Sequence, residues 1–128
     1  MKLEHIGLWT KDLEAMKDFY VTHFKMSSNE KYVNEVKGFS SYFLTFESGT
    51  RIELMHRADI KEALGERGQI SGMAHMAFSL GSVTAVIELT ERSREMGLKI
   101  IGEPRTTGDG YFESVIEDPE GNWIELTA

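Results

Sequence analysis

Two short phrases of the chain recur in the same order and at nearly the same spacing. EHIGL at residues 4–8 returns as AHMAF at 74–78, and RIELM at 51–55 returns as WIELT at 123–127. His75 follows His5 by 70 positions and Glu125 follows Glu53 by 72. A chain of 128 residues that spends itself on two such units has too little length for two comfortably independent domains. The expectation is one domain spanning 1–128, made of a first module at about 1–66 and a second at about 73–128, divided near residues 67–72.

Periodicity assigns elements within each module. LEHIGLW at 3–9 alternates like a strand, with Ile6 and Leu8 on one face and His5, Gly7 and Trp9 on the other. Leu13, Met16, Tyr20 and Phe24 then recur at helical spacing, with Thr10 or Asp12 available as N-cap. Extended pieces are expected around 28–34, 39–47 and 50–56, the last two joined by a tight turn at Ser48-Gly49, and a short helix at 59–66. The second half repeats the order: a strand at 73–80, a helix capped by Ser82 with Val86, Leu89, Ser93 and Met96 on one stripe, a stop at Gly97, and strands at 98–101, 111–117 and 122–127. Asp-Pro-Glu-Gly separates the last two, with Pro119 suited to the second position of a turn. Each half reads β-α-β-β-β, and the class is α+β.

In the four recurring strands the polar residue opposes the large aliphatics. His5 opposes Ile6 and Leu8, His75 opposes Met76 and Phe78, Glu53 opposes Ile52 and Leu54, and Glu125 opposes Ile124 and Leu126. With helices covering the aliphatic faces, the other faces would form a concave wall, with Trp9, Met55, Met73 and Trp123 as apolar lining. Gly7 and Ala77, two residues after each histidine, would leave space beside the imidazoles. Two imidazoles and two carboxylates suit a divalent transition metal with mixed N/O ligation better than calcium. A single strand histidine is ordinarily a hydrogen-bonded structural group. It is the repetition in register that favours ligation. His23 and His56 have no such partners and read as structural or surface residues.

Charge and composition narrow the classes further. Acidic residues number 21 against 14 basic ones, a formal charge of −7, so phosphate backbones and anionic lipid surfaces are disfavoured partners. The absence of cysteine excludes disulfides and thiolate ligation. MKLEHIGLW is too short and polar for a signal peptide, and no run approaches a membrane span, so the expected location is cytoplasmic. TTGDGY at 106–111 precedes a strand rather than a helix, which makes it a poor phosphate cradle and a better mobile loop over the site. Neither Ser nor Cys shows a nucleophile motif.

The opening HIGL strand with its D-L-x-x-M-x-x-F-Y helix, the two I-E-L tripeptides, AHMAF and the closing D-P-E-G-N-W-I-E-L resemble the vicinal oxygen chelate superfamily over nearly the whole chain. Within it they resemble the glyoxalase I (lactoylglutathione lyase) branch. That resemblance implies tandem β-α-β-β-β modules in a cup-shaped sheet and a metal held by His5, Glu53, His75 and Glu125. It also implies a homodimer with the site at the subunit interface, and nickel or cobalt as the favoured ion with zinc second. The implied reaction is a proton shift in the hemithioacetal of methylglyoxal and a thiol, giving a 2-hydroxyacyl thioester, with Glu125 as base and Glu53 assisting. Trp9, Arg57 and Trp123 are the substrate-binding candidates. Glyoxalase I generally offers Arg and Asn to the glutathione carboxylate near the positions of Trp9 and Arg57. Arg57 can bind a carboxylate and Trp9 cannot, so the resemblance leaves the thiol open. Rival readings are a fosfomycin-type thiol transferase, an extradiol dioxygenase, or a non-catalytic binding protein that sequesters a small molecule in the cup.

Overall fold

Strand β1, His5–Trp9, enters the first sheet parallel to β5, Arg51–Arg57, because the intervening chain crosses over through helix α1, Leu13–Phe24. The computed structural model describes residues 1–47, 49–62 and 64–128. The chain divides into two units, Met1–Glu62 and Ala63–Ala128.

In the first unit the sheet order is β1-β5-β4-β2, with β4 at Phe39–Thr45 and β2 at Ser27–Ser28, while β3, Tyr32–Asn34, also pairs with β4. The single strand expected over 28–34 is thus two short ones. The backbone N–H of Phe43 donates to the Asn29 side-chain oxygen at 2.7 Å, so a side chain replaces a ladder partner between them. Asp12, rather than Thr10, caps α1 by accepting from the Ala15 N–H at 2.9 Å. Thr10 instead extends the ladder, its N–H donating to the Met55 carbonyl at 2.8 Å. Met16, Tyr20 and Leu13 bury against Leu44, Ile52 and Leu54, as the helical spacing requires. The expected Ser48-Gly49 turn falls partly on Ser48, outside the described residues; Gly49 has a φ of 100°. The short helix expected at 59–66 is absent among the described residues of that stretch, and Ala63 lies outside them.

The second unit has sheet order β6-β9-β8-β7, with β6 His75–Ser79, β7 Ile100–Thr106, β8 Phe112–Glu117 and β9 Trp123–Thr127. Helix α2, Val83–Glu95, is capped by Ser82, whose Oγ accepts from the Ala85 N–H at 3.1 Å. It buries Val86, Leu89, Thr90 and Ser93, whereas Met96, expected on this stripe, is exposed beyond the last turn. Strand β7 runs well past the expected 98–101 and through Pro104. Among the described residues it pairs only with β8, and its register shifts between Ile100 and Gly102 and again between Gly102 and Arg105, so the missing proline N–H costs no regular ladder bond. A 3-10 turn, Arg67–Gln69, precedes β6. Among the described residues no helix is long and apolar enough to cross a membrane.

Candidate metal centre

The period-2 pattern places its residues as expected. In β5 and β9 the residues flanking each glutamate, Ile52, Leu54, Ile124 and Leu126, are buried under the helices, and Glu53 and Glu125 point to the other face. The parallel registers pair Gly7 with Glu53 and Ala77 with Glu125, so each histidine lies one diagonal step from its glutamate. His5 Nε2 stands 3.8 Å from a Glu53 oxygen, and His75 Nε2 stands 3.5 Å from a Glu125 oxygen. Two ligands each about 2.1 Å from one ion stand roughly 3.0–3.4 Å apart, so small rotamer shifts bring either pair onto a common ion. Each unit offers two donors of this kind. No group of three or more His, Asp or Glu gathers as a cation site among the described residues.

The two pairs differ in their support. The Nδ1 of His5 contacts the Glu4 carboxylate, which also pairs with Arg51. In the tautomer that donates Nδ1–H to Glu4, Nε2 presents its lone pair beside Glu53, the arrangement by which a carboxylate orients a ligating imidazole. The hydrogen bond from His5, with Arg51 adding to it, holds Glu4 below its ordinary range. Position 74 is Ala, so His75 has no such partner at the equivalent place. The strand expected at 3–9 begins only at His5, so Glu4, which alternation would put on the Ile6 and Leu8 face, lies just outside β1 and periodicity does not find it.

Aromatic rings surround the first pair. The His5 ring meets Phe43 edge-on at 5.4 Å, and the Arg51 guanidinium lies over Phe43 at 4.2 Å. A Cβ at Gly7 would stand 2.8 Å from the Met55 methyl, so the space left by the glycine is taken by Met55. Trp9 packs on Phe39, and Arg57 lies 5.5 Å over its ring while donating through Nε to Asp59 at 2.5 Å. That hydrogen bond lowers the pKa of Asp59. Met73, expected in the lining, precedes β6 and is exposed. His56 Nδ1 donates to the Thr10 carbonyl, 3.0 Å away, and His23 is buried against Phe19, both structural positions.

The second pair sits on a more acidic face. Val115 pairs with Glu125, so Glu113 and Glu117 of β8 share its side of the sheet. Glu117 accepts from Lys99 and from the Trp123 indole N–H, each at 3.3 Å. Glu113 accepts from Arg105 at 3.1 Å. Burial, reinforced by the Glu125 carboxylate, raises the pKa of Glu113, while Arg105 works against the rise. The sequence pattern singles out neither Glu113 nor Arg105, although FESVIE alternates visibly. Trp123 stands on the expected face, but one side of its ring is occupied: a Cβ at Gly68 would be 2.1 Å from the indole. Arg67 fastens this turn by donating to the Asn122 side-chain oxygen at 2.9 Å. Asp118 in turn fixes Asn122, accepting from its backbone N–H at 2.9 Å and from its amide at 2.6 Å. The Gly121 N–H closes onto the Asp118 carbonyl, which makes Asp-Pro-Glu-Gly the expected turn.

Comparison with known proteins agrees with this architecture. The family model described as Glyoxalase/Bleomycin resistance protein/Dioxygenase superfamily matches residues 2–126. The uncharacterized protein YwbC of Bacillus subtilis (strain 168) is 28% identical over 126 residues, which cover 98% of this chain and 95% of that protein. YqjT of the same organism is 26% identical over 136 residues, covering 98% of each. Among solved structures, glyoxalase I from Zea mays superposes with a TM-score of 0.80 at 24% identity, covering 98% of this chain and 44% of that one. The trypanothione-dependent glyoxalase I of Leishmania major gives 0.78 at 22% identity, covering 99% and 86%. The chain therefore spans less than half of the maize enzyme, and at these identities the likeness is one of fold.

Proposed function

Because the chain belongs to the glyoxalase/bleomycin resistance protein/dioxygenase superfamily, we propose that it is a metal-dependent lyase of the glyoxalase I type. Its substrate in this reading is the hemithioacetal of methylglyoxal, or a related 2-oxoaldehyde, with a thiol, and its product is the 2-hydroxyacyl thioester. The observation that carries the reading is the same His/Glu pair, in the same parallel register, on both sheets.

His5, Glu53, His75 and Glu125 would hold the ion, with nickel or cobalt preferred and zinc second. Their imidazole nitrogens and carboxylate oxygens are borderline-to-hard donors, and their N···O separations fit a shared ion. When bound, the ion supplies positive charge against the two oxygens of the rearranging carbon pair. Glu125 removes the proton from the carbon bearing sulfur and returns it to the neighbouring carbon, while the hydroxyl proton passes from the first carbon's oxygen to the second's, which leaves the carbonyl on the thioester side. Glu53 assists from the opposite side. Glu4 keeps His5 oriented, Trp9 offers apolar surface, and Arg57 keeps guanidinium N–H groups beyond its Asp59 contact for a carboxylate on the thiol. Trp123 contributes the part of its ring that Gly68 leaves uncovered.

Each unit by itself carries one pair, so a four-ligand centre requires a first-module pair to face a second-module pair. We assign the two to different subunits of a homodimer. The test is thioester formation from methylglyoxal and a panel of thiols with nickel or zinc supplied. Turnover is expected with at least one thiol, and Glu125→Gln should lower it by about 100-fold or more. No turnover with any thiol, on protein shown to hold metal, would contradict the reading.

A further inference from the structure

His5 lies directly opposite Arg51 in the parallel register of β1 and β5, and His75 lies opposite Trp123 in that of β6 and β9. The residue before each histidine differs in step, Glu4 in the first module and Ala74 in the second. Carboxylate and guanidinium are therefore present together on one side of the duplication and absent together on the other.

In a regular strand neighbouring residues face opposite sides, which would send the Glu4 side chain away from His5. Because β1 begins only at His5, Glu4 escapes that alternation, and its carboxylate turns back onto the His5 ring. Its backbone is fastened all the same. The Arg51 N–H donates to the Glu4 carbonyl at 3.1 Å, and the Thr50 hydroxyl donates to the Leu3 carbonyl at 3.2 Å. The two carboxylate oxygens have different partners: Oε2 meets His5 Nδ1, and Oε1 meets Arg51 Nη2. The guanidinium is itself steadied, lying 4.2 Å over the Phe43 ring, while the His5 ring meets Phe43 edge-on at 5.4 Å. One aromatic ring thus braces both ends of the Arg51–Glu4–His5 chain. His5 Nε2 is 3.8 Å from the Glu53 oxygen, beyond hydrogen-bond range, so Glu53 does not compete with Glu4 for the ring proton. In the second module Trp123 takes no such part. Its indole N–H donates to Glu117, and Gly68 lies against its ring.

We propose that Arg51 is a positioning residue: acting through Glu4, it holds His5 as the Nδ1–H tautomer, with the Nε2 lone pair beside Glu53, before any ion arrives. The first-module pair is preset, whereas no such chain sets His75. The members of the chain are half exposed, so their ion pairs add little to stability, and their effect falls on the tautomer and orientation of the ring. Its use in holding metal rests on the reaction proposed above, but the tautomer is read on metal-free protein and needs no turnover.

Long-range proton–nitrogen NMR spectra of the imidazoles distinguish the two tautomers in metal-free protein at about pH 9, where the rings are neutral. Wild type would be compared with Glu4→Ala, Arg51→Met and Arg51→Lys, each shown by circular dichroism to be folded, with His5→Gln and His75→Gln assigning the signals. Wild-type His5 is expected as the Nδ1–H form and His75 as the Nε2–H form. Glu4→Ala should turn His5 over to Nε2–H, Arg51→Met should carry it part of the way, and Arg51→Lys should bring it back in part, with His75 unchanged throughout. Zinc affinity should follow the His5 tautomer, falling about tenfold in Glu4→Ala and less in Arg51→Met. His5 as Nε2–H in wild type, a tautomer unmoved by Arg51→Met, no recovery in Arg51→Lys, equal changes at His5 and His75, or an affinity that does not follow the tautomer in protein that binds zinc would each overturn the assignment. The expected tautomers in a wild-type protein that binds no zinc would instead contradict the reaction and uphold the positioning of His5.

Discussion

Gly68 shows how one missing side chain decides what a neighbouring residue can do. Its backbone lies against the Trp123 ring, and any Cβ would fall 2.1 Å from an indole carbon. A fused aromatic ring has no flexible end to move aside, so Gly68→Ala should lift the Arg67–Gln69 turn off the ring. Overpacking of this kind costs about 1–3 kcal/mol. In a Trp9→Phe background, Trp123 emission is expected to shift to the red and acrylamide quenching to rise, with a lowered melting temperature. Unchanged emission would contradict the packing. Glu14 makes a smaller, pH-dependent contribution. Its carboxylate accepts from Lys31 at 2.9 Å and from the Tyr42 hydroxyl at 3.1 Å. The Lys31 bond, and then Tyr42, hold its pKa below the ordinary 4.5. A folded-state value below the unfolded one stabilises the protein above about pH 4.5, and that contribution fades as pH falls through the folded value. Glu14→Gln should flatten the acid side of the stability profile and change stability at pH 7 by less than about 1 kcal/mol, because the pair is half exposed.

Elements built on a single period are legible in the sequence, and elements that break it are not. The I-E-L strands alternate cleanly, so burial of Ile52, Leu54, Ile124 and Leu126 and the outward turn of both glutamates follow from spacing alone. The helix starts also follow from their cap residues, although only the ladder contact of Thr10 distinguishes it from Asp12. Gly102 and Pro104 read as breakers, so periodicity stops β7 too early; tertiary pairing with β8 carries the strand through them by a bulge. That same bulge conceals Arg105, whose face cannot be counted from its position. Spacing puts Met96 on the α2 stripe, yet the helix ends one residue before it. The real stripe includes Thr90, which donates to the Val86 carbonyl and accepts from the Ser114 hydroxyl of β8, each at 2.7 Å. Thr90→Val would leave the buried Ser114 hydroxyl without its acceptor, and denaturant unfolding should show a loss of about 1–3 kcal/mol. Adding Ser114→Ala is expected to restore part of that loss, whereas additive losses would show that the two hydroxyls are not coupled.

At the scale of the whole molecule, duplication explains why function can be approached from sequence in a chain so short. Each module builds a parallel strand pair that carries one imidazole and one carboxylate, and neither unit alone gathers a third ligand of that kind among the described residues. Support around the pairs has diverged. The first has Glu4, Phe43 and Arg51, and the second has Glu113 and Arg105. The account accordingly predicts a single ion per chain that depends on both modules. Equilibrium titration of metal-free protein with nickel or zinc, repeated on His5→Ala, Glu53→Gln, His75→Ala and Glu125→Gln, tests this most directly. One ion per chain, weakened at least about tenfold by every one of the four substitutions, is the predicted result. Binding that survives removal of either module's pair, or no binding by the wild-type protein, would contradict it.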